Sequence, residues 1–423
     1  MVPLVAAAAV ALALAAPAQA QSAGPSWSGE WRAHADPRWG NGAGPLAESD
    51  ALAPGLAPPP SSSGVAELEM RSQGHGLTAD ALLHHERFAG GHTESRAQFN
   101  ELYAAGSLPG DTWQFSAGKK IVSWDVGYGW RPNDVVQQEL RRQLVGVTPE
   151  GRALLEFEHF SAETAWTVVW VNPQHLNTAF ERRTGAEESA VAMRVYARQG
   201  AADWHGFARW GEHTQGSVGA AMAWVADESW ELHASWRLAQ KHDGWQYGGP
   251  AAPAAPAAGN PWQTTTLGGA SQWLVGFTWT NIEQLSVLGE LWHDGMALGD
   301  SAWRRWQARV HALAAAASAA PGPMQRIDAA NLAWQATPWT DSPNLRRDNA
   351  FVRLSWVHEA WTPALDLLYT PKDRGHAATA SLAWQGDRVH LEGGMRLYGG
   401  PADALLAQTP LRRAGYLLAS YAF

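Results

Sequence analysis

The chain has 423 residues, carries 31 basic against 40 acidic side chains for a net charge of −9, and contains no cysteine. The acidic balance excludes nucleic acid as a partner, and the missing cysteines exclude a disulfide framework or a thiolate metal site. Tryptophan stands out with 25 copies; it favours membrane interfaces, although soluble carbohydrate-binding proteins are also rich in it.

Residues 1–20, MVPLVAAAAVALALAAPAQA, form an apolar run closing on Ala18-Gln19-Ala20, the small-x-small form that signal peptidase cuts. The mature chain is therefore expected to be residues 21–423, a single unit with no linker dividing it. No Lys or Arg precedes the run, a departure from the usual form, and the alternative is a buried Ala-rich helix. Downstream, no stretch reaches the roughly 18 apolar residues of a spanning helix, so a membrane protein with this sequence crosses as strands.

Spanning strands need only about 9 to 11 residues in which lipid-facing and lumen-facing side chains alternate. Such segments recur along the whole mature chain. In Ala66 to Arg71, Leu68 and Met70 oppose Glu67, Glu69 and Arg71. In Val191 to Arg198, Val191, Met193, Val195 and Ala197 interleave with Arg194, Tyr196 and Arg198. In Trp230 to Leu238 the apolar set alternates with Glu231, His233, Ser235 and Arg237. Strands are predicted near residues 26–35, 65–73, 78–88, 95–104, 112–122, 153–161, 164–171, 190–199 and 203–211, and again near 216–226, 229–240, 271–281, 284–293, 350–358, 363–370, 376–385, 388–398 and 414–423. That is about eighteen, an even number, as bacterial single-chain barrels require. The expected fold is all-β, a transmembrane antiparallel β-barrel with short periplasmic turns and long extracellular loops. Short joins at 161–163, 200–202, 226–228, 359–361 and 386–387 alternate with long ones near 36–64, 123–152, 172–189, 241–270, 294–349 and 399–413, which places both chain ends in the periplasm. The repeated spacing of a propeller or β-helix is missing.

Residues 118–136 read GKKIVSWDVGYGWRPNDVV. Gly127 and Gly129 permit close backbone approach, and Pro132 with Asp134 suits a turn. The segment resembles a stretch of porin-like and alginate-export-like outer-membrane proteins, where a strand ends in Trp-Gly-x-Gly and a Pro-x-Asp turn leads into a loop folding toward the lumen. Asp125 stands where that pattern has its first Gly. The resemblance implies a constriction loop built on Trp124, Asp125, Gly127, Gly129, Pro132 and Asp134; the alternative is an ordinary strand-to-loop transition.

Farther along, the Pro/Ala stretch from Gly248 to Pro256 reads as an extended, solvated excursion. In the longest connection, Asp300 or Ser301 is a candidate cap for a helix with Trp303, Trp306, Val310 and Leu313 on one face. Such a helix either plugs the pore or packs across the barrel mouth. The chain ends on Tyr416 to Phe423, with Leu417, Ala419, Tyr421 and Phe423 on one face. That ending resembles the terminal strand of a Gram-negative outer-membrane barrel, with Tyr421 and Phe423 as the signal for the barrel-assembly machinery.

On this register Glu30, Glu67, Glu69, Asp80, Glu86, Glu156 and Glu158 point inward from the early strands, and Arg194, Arg198, Arg209 and Arg237 from the middle ones. Lys120, Glu290, Arg353 and Arg396 complete the predicted pore lining. An acidic wall facing a basic one sets a transverse field that orients dipolar or zwitterionic solutes; alternatively, the charges pair into ladders that stiffen the barrel. The expected function is a channel for small polar solutes, set in outer-membrane lipid and lipopolysaccharide. The resemblance also allows export of a polysaccharide with periplasmic partners, although the mixed lining argues against a polyanion. A structural or adhesive barrel without transport is the third reading. His84-His85-Glu86 and His293-Asp294 are candidate acid/base groups, but no Gly-x-Ser-x-Gly elbow, His-Glu-x-x-His helix or phosphate-binding glycine loop accompanies them. Neither catalytic residues nor a cofactor or metal is therefore expected.

Overall fold

The computed structural model describes residues 24–423 apart from 111, 138–143, 146–148, 177–187, 250–258, 321 and 340–341. The apolar leader at 1–20 and most of the Pro/Ala stretch lie outside the described residues.

Eighteen long strands follow one another: β1 (Ser26–Asp36), β2 (Ser63–Gly74), β3 (Leu77–Phe88), β4 (Thr93–Ser107), β5 (Trp113–Lys120), β6 (Arg152–Phe160), β7 (Thr164–Val171), β8 (Ala190–Gln199) and β9 (Ala202–Gly211). The second half comprises β10 (Gln215–Val225), β11 (Trp230–Ala239), β12 (Ala270–Thr280), β13 (Leu285–Asp294), β14 (Asp348–Trp356), β15 (Trp361–Thr370), β16 (Gly375–Gln385), β17 (Val389–Gly399) and β18 (Leu411–Ala422). Each pairs antiparallel with its sequence neighbours, and β1 pairs with both β2 and β18, Trp31 lying between Leu68 and Tyr421. The sheet thus closes into a barrel in which no strand edge is left unpaired, the condition for placing a sheet in hydrocarbon. Every predicted strand is present, with its ends displaced by at most three residues. Pro37 interrupts β1, and the short strand Arg38–Gly40 resumes the pairing with β18 through a bulge.

Period-two patterning decides which face is which. In β7, exposed Trp166, Val168 and Trp170 alternate with buried Ala165, Thr167, Val169 and Val171. The same outward exposure holds for Trp31, Leu83, Trp204, Trp236, Trp273, Leu365 and Leu417 around the ring. Loops and turns alternate between the two ends, except that three connections at the loop end, 89–92, 212–214 and 371–374, are as short as turns. β1 starts and β18 finishes at the short-turn end.

Beyond the loop end sits a small helical body: α1 (Pro45–Leu52), α2 (Asp300–Ala319), α3 (Pro323–Ala333) and a hairpin pairing His242–Tyr247 with Trp262–Leu267. Its core gathers Trp262, Trp303, Trp306, Val310, Leu313, Leu332, Trp339, Leu405 and Leu406, with Leu46 and Leu52 packed on it. Ser49 Oγ of α1 donates to the Ala329 carbonyl of α3 at 2.7 Å. The contributing loops leave the rim between β1 and β2, β11 and β12, β13 and β14, and β17 and β18. In a ring of eighteen, β2 stands opposite β11, so a core shared by the 37–62 loop and the hairpin lies across the mouth. α2 is therefore a lid element whose predicted apolar face is buried here rather than a plug in the barrel. Neither Asp300 nor Ser301 caps it: Gly299 holds the N-cap position, and the Asp300 carboxylate turns to Lys372 at 3.0 Å and Arg346 at 3.5 Å.

Trp306 is fully buried, donates from Nε1 to the Gln335 carbonyl at 2.7 Å, and meets Trp303 edge-on at 5.4 Å. Truncating such a side chain costs about 3–5 kcal/mol. Trp306→Ala should therefore open residues 300–339 to limited proteolysis while the barrel keeps its heat-modifiable mobility on gels.

Candidate pore constriction

Residues 121–137, which follow β5, turn back into the barrel. Trp124, Val122, Val135 and Val136 bury themselves against Leu154, Val169, Ala192, Phe207 and Ala221, an apolar strip on the inner faces of β6 to β10. Trp130 continues the contact against Leu274 and Trp292, with Phe351 and Leu368 at its edge, on β12 to β15. Inward-facing aliphatics at lumen positions are the sequence trace of this seat, because a water-filled wall has no use for them.

Hydrogen bonds fix the register of the loop. Glu290, buried on β13, accepts the backbone N–H of Tyr128 at 2.6 Å and of Gly129 at 2.5 Å, and lies 3.0 Å from His233 Nε2. At Gly129 a Cβ would sit 2.6 Å from Glu290 Oε2, so a side chain there would push the carboxylate off the loop N–H groups. Gly127 has no room either, its Cβ direction being blocked by the Trp130 carbonyl. Asn133 donates from Nδ2 to Ser235 Oγ at 2.8 Å and to the Trp236 carbonyl at 3.0 Å. Asp125 accepts from Ser235 Oγ at 2.7 Å and from the Asn133 N–H at 2.5 Å, which accounts for an acid where the family pattern has glycine. Asp134 accepts from Ser123 Oγ at 2.8 Å, and the Pro132 carbonyl accepts from Arg237 at 3.2 Å. Burial raises both the Asp125 and the Asp134 carboxyl above the ordinary carboxylate range. Tyr128 and Asn133 lie inside the 118–136 segment without being singled out, and His233 and Ser235 show in the sequence only as inward positions of a dyad.

The loop thus covers an arc of inner wall from β6 to β15. Five of the predicted basic residues stand on the strands of that arc: Arg194 places its guanidinium 5.7 Å from the Trp124 ring, Arg237 bonds the loop, Arg209 pairs with Glu188 at 2.7 Å, and Arg198 and Arg353 make up the five. Arg198 is exposed near the turn at 200–201. Arg353 donates from Nη1 to both Asp366 oxygens at 3.1 and 3.0 Å, with its guanidinium 5.7 Å from the Tyr128 ring. Lys120 pairs with Glu156, which also accepts from Ser116 Oγ, and Glu158 accepts from Thr167.

Among the described residues, β4 meets only the two ends of the loop, the Ile121 N–H donating to Glu101 at 3.1 Å and the Gly151 N–H to the Asn100 carbonyl at 2.8 Å, and the inner faces of β16 to β18 and β1 to β3 carry none of these contacts. Arg32, also overlooked in the sequence, sits among three acids there: Glu67 at 3.1 Å, Glu69 at 2.7 Å and Glu30 at 3.7 Å. His84 lies 2.8 Å from Glu67, and Arg71 pairs with Glu101 at 3.3 Å. Arg396 donates to Thr379 at 2.8 Å. Of the candidate acid/base groups, His84 Nε2 lies 3.8 Å from Glu86 while His85 meets Ser95 Oγ; His293 meets Asp348 rather than Asp294, which turns to Gln272 and Asn344. At the seam, Phe423 and Gly29 exchange backbone hydrogen bonds at 2.9 Å, while Tyr421 stacks on Phe423 outside.

No protein-family model and no curated protein matches the sequence. Among solved structures, Acinetobacter baumannii OccAB1 aligns over 96% of this chain and 98% of its own, with a TM-score of 0.55 and 11% identity. Pseudomonas aeruginosa OprD aligns over 96% and 97%, with a TM-score of 0.52 and 9% identity. Pseudomonas aeruginosa OccK11 (OpdR) aligns over 94% and 96%, with a TM-score of 0.51 and 9% identity. These are outer-membrane porins, and the closed antiparallel barrel of 18 strands described above is their fold.

Proposed function

We propose that this chain is an outer-membrane channel that passes small polar solutes along the part of its wall that the 121–151 loop leaves uncovered. One observation carries the reading: the described part of the loop is drawn into the barrel and bonded to the far wall through Glu290, the placement a constriction loop takes. Short turns and both chain ends then face the periplasm, the outward Trp and Leu side chains meet lipid and lipopolysaccharide, and Tyr421 and Phe423 serve the assembly machinery.

The β1 to β5 part of the open arc bears Glu30, Glu67, Glu69, Asp80, Glu86 and Glu101 against Arg32, Arg71, Arg96 and Lys120. Its lining is mixed with an acidic excess, so cations and dipolar solutes are favoured over anions. Arg194 and Arg237, seated against the loop, act through the field rather than by contact with the solute.

Purified protein in planar bilayers should give stepwise ohmic conductance with weak cation selectivity. A silent bilayer, from barrels that retain heat-modifiable mobility, would overturn the reading in favour of a structural barrel.

A further inference from the structure

On the outer wall the small residues Ala33, Ala35, Gly393 and Ala419 stand beside the bulky Leu391, Trp384 and Trp361, and their difference in height leaves a furrow of about 630 Å³. The furrow follows the cross-strand register from Trp361, at the short-turn end of β15, through Trp384, Leu391 and Ala419 to Ala33 in the upper half of β1. Above it on β18 stands Arg413, exposed at the loop end, on the outward face it shares with Gly415 and Leu417, its guanidinium 4.5 Å from the Trp39 ring. We propose that the furrow and Arg413 hold one molecule of lipid A, with a phosphate on the guanidinium and an acyl chain along the furrow. The site rests on the reading that places the loop end at the cell surface, where the outer leaflet presents phosphorylated lipid.

Charge and depth both fit this ligand. Stacking on an indole orients the planar guanidinium fork, whose N–H groups match phosphate oxygens. The loop ends of β15 to β18 carry Lys372, Arg374, Arg412 and Arg413 against Asp373 and Asp403, and Asp373 is already turned to Arg346 at 2.9 Å. Leu417, at the edge of the furrow, lies four residues below Arg413, about 13 Å along the strand and about half of the roughly 25 Å apolar band. A chain whose head sits at Arg413 therefore enters the furrow within one leaflet. Leaving other lipid tails for the furrow gains an acyl chain nothing hydrophobic, so the furrow contributes contact packing and shape while the phosphate supplies most of the affinity.

A second outward furrow, of about 850 Å³, shows what an acyl chain alone would find. It lies on β8 to β12, among Trp210, Val218 and Leu238, with Ala208 and Ala270 between them. Among the described residues, the loop ends above it carry Glu188, Glu212 and Asp243 against Lys241, the wrong sign for a phosphate. The larger furrow is thus a general lipid contact, and the smaller one, beneath a basic rim, is the specific site.

The test is titration of the delipidated full-length barrel in detergent with lipid A, with the same lipid stripped of its phosphates, and with phosphatidylglycerol, bound lipid being counted by native mass spectrometry. Wild type should take up one lipid A and hold it about fivefold more tightly than the stripped form, the weight of one arginine at an anionic head. Arg413→Gln should bring that ratio to about one. Ala35→Trp, which fills the furrow, should weaken both forms about threefold, and Ala208→Trp in the second furrow should weaken neither. A ratio that survives Arg413→Gln, or an Ala35→Trp barrel that binds like wild type, would overturn the site. So would phosphatidylglycerol held through Arg413 more tightly than lipid A, which would also reverse the orientation of the barrel. Self-association of wild type that Ala35→Trp alone abolishes would overturn it too, by making a second copy the occupant. Conductance plays no part in the readout: a silent barrel that binds as expected loses the channel reading and keeps the site, and a conducting one that does not bind loses only the site.

Discussion

Replacing Glu290 with Gln should loosen the 121–151 loop and raise single-channel conductance about twofold. Both carboxylate oxygens of Glu290 are engaged, one by the Tyr128 N–H and His233, the other by the Gly129 N–H. Glutamine keeps the volume but offers one oxygen, and its amide nitrogen would confront a backbone donor. An N–H left unsatisfied in a buried site costs about 1–3 kcal/mol, which rivals the bonds that hold the tip of the loop. The ties farther along, from Asn133 to Ser235 and from Arg237 to Pro132, are untouched, so the loop should swing from the tip rather than unfold. Proteolysis within 121–131 should rise in parallel. Unchanged conductance with unchanged proteolysis would show that the apolar seat under Trp124 and Trp130 holds the loop without the carboxylate.

The barrel was legible because burial on one face imposes a period of two that no helix imitates, as TAWTVVWV in β7 illustrates. The loop was half legible. Gly127 and Gly129 marked a close approach, and Gly127 meets the nearby Trp130 carbonyl, but what Gly129 approaches, Glu290, lies 161 residues away in the chain, and no local pattern names it. The positions of Arg194 and Arg237 failed to separate from other inward basic residues for the same reason: their facing follows from strand register, their cover from a tertiary contact. Composition was misleading in one respect. Trp124, Trp130, Trp262, Trp292, Trp303, Trp306 and Trp339 are buried in the lumen or the lid, not in an interfacial girdle, so the tryptophan count reported two apolar cores as well as a membrane contact.

Arg32 offers the sharpest test of which wall the solute meets. It is the counter-charge shared by Glu30, Glu67 and Glu69 on neighbouring strands. Arg32→Gln keeps a long polar side chain but removes one positive charge within about 4 Å of the acids, which in water is worth roughly 1 kcal/mol to a passing monovalent ion. That corresponds to about a fivefold rise in local cation concentration, so the reversal potential in a salt gradient should move toward the cation Nernst value. The shift should be largest at 0.01 M salt and fade toward 1 M, where the screening length falls to about 3 Å. Adding Glu69→Gln restores the charge sum and should return the potential toward wild type. Reversing Arg194, on the covered arc, should move it less. If instead Arg194 dominates and Arg32 is silent, the solute runs along the other wall and the loop is displaced in the working channel.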